Sequence, residues 1–165
     1  MNNRTLKIFY IAPLLLWMSV IFFSSTGAGN SDHSYSLIHR LLEIISPEQA
    51  RNISHATLSV VNIVLRKAAH VTEYALLTLL AVRAIQQGAP KLKKSAFFGA
   101  FLLSAVYACS DEFHQRFVGS RTSSPVDVAI DLVGVTLVMA GITLFFAIKA
   151  FERRLHTKTD ASPSA

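Results

Sequence analysis

Nine residues equip this chain for chemistry: Lys67, His70 and Tyr74, then Asp111, Glu112 and Gln115, then Arg121, Asp127 and Asp131. They interrupt three segments that are otherwise apolar. An ionisable side chain at the centre of a bilayer costs about 2.5 kcal/mol or more even on lenient insertion scales, so charges on three such segments point to a shared, buried polar site. His70, Asp111, Glu112 and Asp131 are the candidate catalytic residues, because imidazole and carboxyl groups held near a reacting atom can donate or accept a proton. Lys67, Tyr74, Gln115, Arg121 and Asp127 are candidate ligand-binding residues, the two cations suited to an anionic group and the others to hydrogen bonding.

Spacing supports a common site. Lys67, His70 and Tyr74 are three and then four residues apart, which puts them on one helix face; Asp111 and Gln115 share a face at a spacing of four, as do Asp127 and Asp131. Glu112 points about 100° away from Asp111. Structural roles compete with the chemical ones. Ser124-Pro125-Val126-Asp127 is a helix-capping pattern that accounts for Asp127. Lys67 and Arg66 suit snorkelling to an interface, Tyr74 suits an interfacial or core aromatic, and His70 suits a purely hydrogen-bonding role. Asp131 has no cap to explain it, and Glu73 and His114 flank the set.

The elements that position these residues follow from composition. The 165 residues are 52% hydrophobic and 16% charged, a balance that suits a bilayer better than water. The apolar blocks Ile8 to Phe23, Ala68 to Ile85, Ala96 to Ala108 and Val126 to Phe151 predict an all-α integral membrane protein with four transmembrane helices. The third must continue through Asp111 to about Phe117 to cross. The first block, after Arg4 and Lys7, resembles a secretory leader but is long for one and carries Trp17 and Phe22, so it is expected to remain as a span.

Basic residues orient the bundle. With the N-terminus inside, the cytoplasmic face receives Arg4, Lys7, Arg83, Lys91, Lys93, Lys94, Lys149, Arg153, Arg154 and Lys158, the larger share of the 16 Lys and Arg, so both termini are expected in the cytoplasm. At ~1.5 Å per residue, His70 then lies about 20 Å above Arg83 and Asp111 about 25 Å above Lys94, in the outer half of the membrane. The net charge of +6 matches anionic lipid headgroups, and no basic-aromatic pattern for nucleic acid is present.

Leu37, Ile38, Leu41, Leu42 and Ile45 alternate with His39, Arg40 and Glu43 in an amphipathic helical pattern, expected on the outer membrane surface between the first two spans. Ser46-Pro47-Glu48-Gln49 predicts a second helix running through Ile53 and Val60 into the second span. Gly88-Ala89-Pro90 marks a short turn, and Gly119-Ser120 opens the loop before the last helix. Gly134 and Gly141 are expected to permit close helix packing. Cys109 reads as a small buried packing residue, and Phe97, Phe98, Phe101, Phe145 and Phe146 as lipid-facing or packing aromatics. One domain is expected over residues 1–155, followed by a disordered tail over 156–165.

The runs Arg66-Lys67-Ala68-Ala69-His70-Val71-Thr72-Glu73-Tyr74 and Ser110-Asp111-Glu112-Phe113-His114-Gln115-Arg116-Phe117, followed by Arg121, Asp127 and Gly134, resemble the VanZ-like family. These are small bacterial membrane proteins named for a member associated with teicoplanin resistance. Trp17 to Ser25 is also similar to the family's first span, so the resemblance covers roughly residues 10 to 145. Two positions depart from the family pattern: Gly119-Ser120 stands where Pro-Gly is common before the arginine, and Asp131 where Asn is common before the glycine. The resemblance implies a bacterial inner-membrane protein connected with the cell envelope; it supplies no reaction.

Three functions fit. The first is binding or modification of a lipid-linked envelope intermediate, with Lys67 and Arg121 on its anionic headgroup. The second is proton- or ion-coupled transport through His70, Glu73 and Asp131, which for so small a bundle requires a homo-oligomer. The third is a non-enzymatic role in which the polar cluster locks the bundle or binds a partner. His70, Asp111, Glu112 and Asp131 lack metal-ligand spacing, and no phosphate-cradling loop, nucleophile elbow or redox cysteine pair calls for a cofactor.

Overall fold

In hydrocarbon every backbone N–H and C=O must be satisfied within the chain, and a helix does this segment by segment. The computed structural model describes residues 3–28, 31–118 and 124–160, and every regular element among them is a helix. Helix α1 spans Asn3–Phe23 and ends in a π-helical turn, Ser24–Ala28. Then come α2 (Ser31–Ile45), α3 (Pro47–Asn52), α4 (His55–Gln86), α5 (Lys94–Gln115) and α6 (Pro125–Asp160). Helices α1, α4, α5 and α6 are long and apolar enough to cross a membrane.

Cross-helix hydrogen bonds fix the directions. Arg83 Nη1 donates to the Phe9 carbonyl (3.1 Å) and Trp17 Nε1 to the Glu73 carbonyl (3.0 Å), so α1 and α4 run antiparallel. Tyr107 OH donates to the Met18 carbonyl (2.6 Å) and Gln115 Nε2 to Ser25 Oγ (3.4 Å), so α1 and α5 run parallel. Lys67 meets Asp127 and His70 meets Asp131, which makes α4 parallel to α6. The bundle therefore gathers the late turns of α1 and α5 at the same end as the early turns of α6.

Gln86 shapes the opposite end. Its side-chain nitrogen donates to the carbonyls of Ala89 and Lys91, and its oxygen accepts from the Lys93 N–H. One mostly buried amide thus clamps the α4–α5 turn, where Gln87 and Gly88 take positive φ angles of 47° and 73°.

The protein core is thin. Tyr74, Leu77, Ala81, Ala100, Ala108 and Val135 are fully buried. The alanines let helices approach closely, which is how packing substitutes for the hydrophobic effect inside a bilayer. Large side chains such as Phe98, Leu102, Leu137 and Phe145 are exposed on the outside of the bundle, as suits lipid contact. At Gly134 a Cβ would run into the Val71 carbonyl oxygen and lie 3.0 Å from the Ala75 nitrogen, so the missing side chain lets α6 press on the α4 backbone.

Several sequence expectations need correction. The helix opened by Pro47 does not continue into the second span: it ends at Asn52, Ile53 is extended, and Ser54 caps a new helix by accepting from the Thr57 N–H (3.1 Å). Ser54 has the side-chain oxygen for this role, and its capping starts a separate helix at His55. Gly141 makes no close approach, since a Cβ there would meet nothing within 4 Å. Cys109 is exposed rather than buried, on the face of α5 away from its neighbours. Helix α6 continues to Asp160, so residues 156–160 of the expected tail are helical; residues 161–165 lie outside the described residues. The Gly119-Ser120 loop opening lies outside them too.

Candidate functional site

Helices α4 and α6 place the two ion-pairing contacts of the cluster side by side. Lys67 Nζ lies 3.2 Å from Asp127 Oδ1, with both side chains partly exposed. One turn further into the bundle, His70 Nδ1 lies 3.4 Å from Asp131 Oδ1, and Asp131 is only 1% exposed. The spacings of three on α4 and four on α6 carry both contacts along the same pair of parallel helices. Because Gly134 brings the backbones together just below, neither contact needs a long reach.

Helix α5 supplies the third wall. Gln115 Nε2 donates to Asp111 Oδ2 (3.0 Å) one turn back on the same helix and to Ser25 Oγ (3.4 Å) in the π-helical turn. Asp111, Gln115 and Ser25 are all buried. Such π-turns recur where a helix must redirect a side chain, and here Ser25 is brought against Gln115. Glu112 serves differently, because its carboxylate accepts the backbone N–H of Ser124, the residue before α6. Ser124 in turn accepts from Val126 through its hydroxyl (3.2 Å) and from the Asp127 N–H through its carbonyl (2.9 Å). A negative charge at a helix start is favourable, so Glu112 anchors α6 to α5.

Tyr74 sits one turn below His70, fully buried and within electrostatic reach of Asp111 and Asp131. Its hydroxyl has no hydrogen-bond partner among the described residues. Another turn along α4, Thr78 donates to Ser104 (3.0 Å), both fully buried, and below them the interface is apolar. The polar column is therefore blind at its inner end.

At its outer end it opens into a cavity of about 210 Å³ lined by Ile63, Arg66, Lys67, His70, Gln115 and Asp127. His70 both lines this cavity and contacts Asp131, so the imidazole links the open volume to a buried carboxyl group. The cavity offers two cations for an anion. An imidazole facing a buried carboxyl group is also an arrangement that can take or give a proton. No group of three His, Cys, Asp or Glu residues among the described residues is placed to hold a metal ion.

Eight of the nine sequence candidates thus fall on this end of the bundle. Lys67, His70, Gln115 and Asp127 line the cavity, Asp111, Tyr74 and Asp131 lie behind it, and Glu112 faces the start of α6. Arg121 lies outside the described residues. Sequence reasoning missed Ser25, whose only signal is a polar residue at the end of an apolar run. It also undervalued Arg66, which lines the cavity beside Lys67.

Four apolar helices enclosing charged residues at one end define a multi-pass helical membrane protein with a polar intramembrane cluster. The VanZ/LLP1 family model matches residues 9–149, and the chain belongs to that family. No curated protein and no solved structure matches the chain.

Proposed function

We propose that the cavity binds the anionic headgroup of a lipid-linked cell-envelope intermediate in the outer half of the bacterial cytoplasmic membrane, with both chain termini in the cytoplasm. The observation that carries this reading is the convergence of Arg66, Lys67 and His70 on one cavity, with Asp127 in the same wall and Asp131 behind them. Its volume of about 210 Å³ falls below the ~300–1,000 Å³ of pockets that engulf a drug-sized molecule. It suits a phosphate with at most one sugar, the lipid tails remaining in the bilayer beside α4. Where the headgroup is also modified, His70 is the proton-transfer group, because its imidazole joins the cavity to a buried carboxyl group. Capture of such an intermediate would alter envelope susceptibility to glycopeptides such as teicoplanin.

Native mass spectrometry of protein gently extracted from its own membrane tests this reading, comparing wild type with Lys67→Ala and Asp111→Asn at matched abundance. A defined lipid intermediate held by wild type and lost by Lys67→Ala supports it. Equal retention by all three proteins, or no intermediate at all, removes it.

A second reading is a structural lock, favoured by the Glu112–Ser124 hydrogen bond, which ties α5 to the start of α6, and by the Asp111–Gln115 bond within α5, which holds the amide that reaches Ser25 in the π-helical turn. It requires every substitution in the cluster to lower protein abundance in step with phenotype.

A further inference from the structure

Gln115 follows Asp111 by one helical turn, so the two side chains meet on one face of α5. Packing against the end of α1 gives the amide a second partner on the same side. Nε2 donates to Asp111 Oδ2 (3.0 Å) and to Ser25 Oγ (3.4 Å), and all three residues are buried. Asp111 decides which way the amide faces, because a carboxylate oxygen accepts and cannot donate. Turned over, the amide would press its own oxygen against that carboxylate, two buried acceptors with no proton between them. Both N–H bonds are thereby committed, and the carbonyl oxygen Oε1 is the end left over. No hydrogen bond to Oε1 is made among the described residues, and Gln115 lines the cavity that Arg66, Lys67 and His70 share.

We infer that Gln115 reads the ligand through Oε1, as an acceptor of fixed orientation, and so selects a headgroup with a hydroxyl donor beside its phosphate: a sugar joined by a phosphodiester rather than a donor-free phosphate. The inference rests on the headgroup reading above and sharpens it. Arg66 and Lys67 can meet the anionic oxygens, but a phosphodiester has no proton to give Oε1. A donor-free ligand would shield the amide oxygen from water and leave it unpaired, whereas a sugar hydroxyl pairs with it. Sites built to hydrogen-bond a hydroxyl reject the analogue that lacks it for this reason. The cavity of about 210 Å³ places both demands on one small group, so the hydroxyl belongs to the unit attached directly to the phosphate. A neutral hydroxyl is favoured over an ammonium donor because Arg66 and Lys67 stand in the same cavity wall and repel a cation.

The test places the full chain in detergent micelles and follows, by native mass spectrometry, its retention of three phosphodiesters on the same polyprenyl tail: hexosyl, methyl and ethanolamine. The hexosyl and methyl diesters carry the same charge and differ in having hydroxyl donors. Wild type is expected to hold the hexosyl diester about fivefold or more better than the methyl one, the worth of one hydrogen bond. Gln115→Met keeps the length and removes the acceptor, and should bring that ratio close to one. Asp111→Asn removes the charge that orients the amide and should lower the ratio at least about twofold, which keeps the test open where the Met variant fails to fold. Thermal melts identify the folded variants, and a purely structural role would lower retention of both diesters while leaving their ratio alone. A wild-type ratio near one, an unchanged ratio in either folded variant, or stronger retention of the ethanolamine diester would each overturn the inference while the headgroup reading stands. Failure of wild type to retain any of the three would remove that reading and this inference with it.

Discussion

His70 Nδ1 and Asp131 Oδ1 lie 3.4 Å apart across the α4–α6 interface, with the imidazole partly open to the cavity and the carboxyl group sealed beneath it. Neither helix alone supplies a reason for a carboxyl group at position 131. The contact does, because an imidazole facing a buried carboxyl group can meet it as donor.

Removing one member of this contact should therefore cost more than removing both. His70→Ala leaves a buried acceptor without its facing donor and is expected to destabilise the bundle by about 1–3 kcal/mol. The double variant His70→Ala/Asp131→Leu should recover part of that loss. Thermal melts of the four proteins in one detergent form the cycle that measures the coupling. Strict additivity would mean that the two side chains do not support each other.

Gly134 and Gly141 should respond oppositely to alanine. At 134 the new Cβ meets backbone that cannot turn away, so Gly134→Ala must push α6 off α4 and is expected to cost more than about 2 kcal/mol and to lower abundance. At 141 there is open space, and Gly141→Ala should be neutral or stabilising by up to about 1 kcal/mol through helix propensity. Melting temperatures of the two variants decide it, and similar losses at both would contradict the α4–α6 geometry.

Glu112 separates anchoring from acid–base chemistry. Its carboxylate accepts the Ser124 N–H, and a Gln amide oxygen can accept the same bond. Glu112→Gln is expected to keep stability and headgroup retention near wild type, while Glu112→Ala should lose about 1–2 kcal/mol as the start of α6 loses its acceptor. Loss of function with full stability in Glu112→Gln would instead make Glu112 a proton-transfer residue.

These contrasts show what a single sequence carries. The four spans were legible because each needs a long apolar run, and even α5 could be extended through Asp111 and Glu112 on length alone. The clustering of Lys67, His70, Asp127 and Asp131 was legible because spacings of three and four put them on single faces, and charge in an apolar run must turn inward. The partners were not legible. Whether Glu112 meets a ligand or the Ser124 N–H depends on the rotation of α5 relative to α6. Whether Gly134 or Gly141 marks a close crossing depends on where two axes approach. Both are relations between helices that periodicity along one helix leaves undetermined. The break at Ile53 was missed for another reason: Pro47 and Ser54 both signal helix starts, and the sequence does not say whether the first helix yields to the second.

Lys67 and Asp127 provide the sharpest separation of stability from function. Both side chains are partly exposed, at 44% and 34%, so solvent and lipid headgroups screen their attraction and the pair is worth only about 0–1 kcal/mol to the fold. Lys67→Gln should therefore melt within a few degrees of wild type. Its effect on a bound anion is larger, because the ammonium lines the cavity and the ligand's charge would meet it directly; retention of an anionic headgroup is expected to fall about tenfold or more. Asp127→Asn removes the competing carboxylate and should strengthen the same retention. Opposite shifts in these two variants, read by native mass spectrometry at matched folding, identify Lys67 as a ligand contact. A common loss in both would show that the pair serves the bundle instead, because only a structural contact is broken equally from either side.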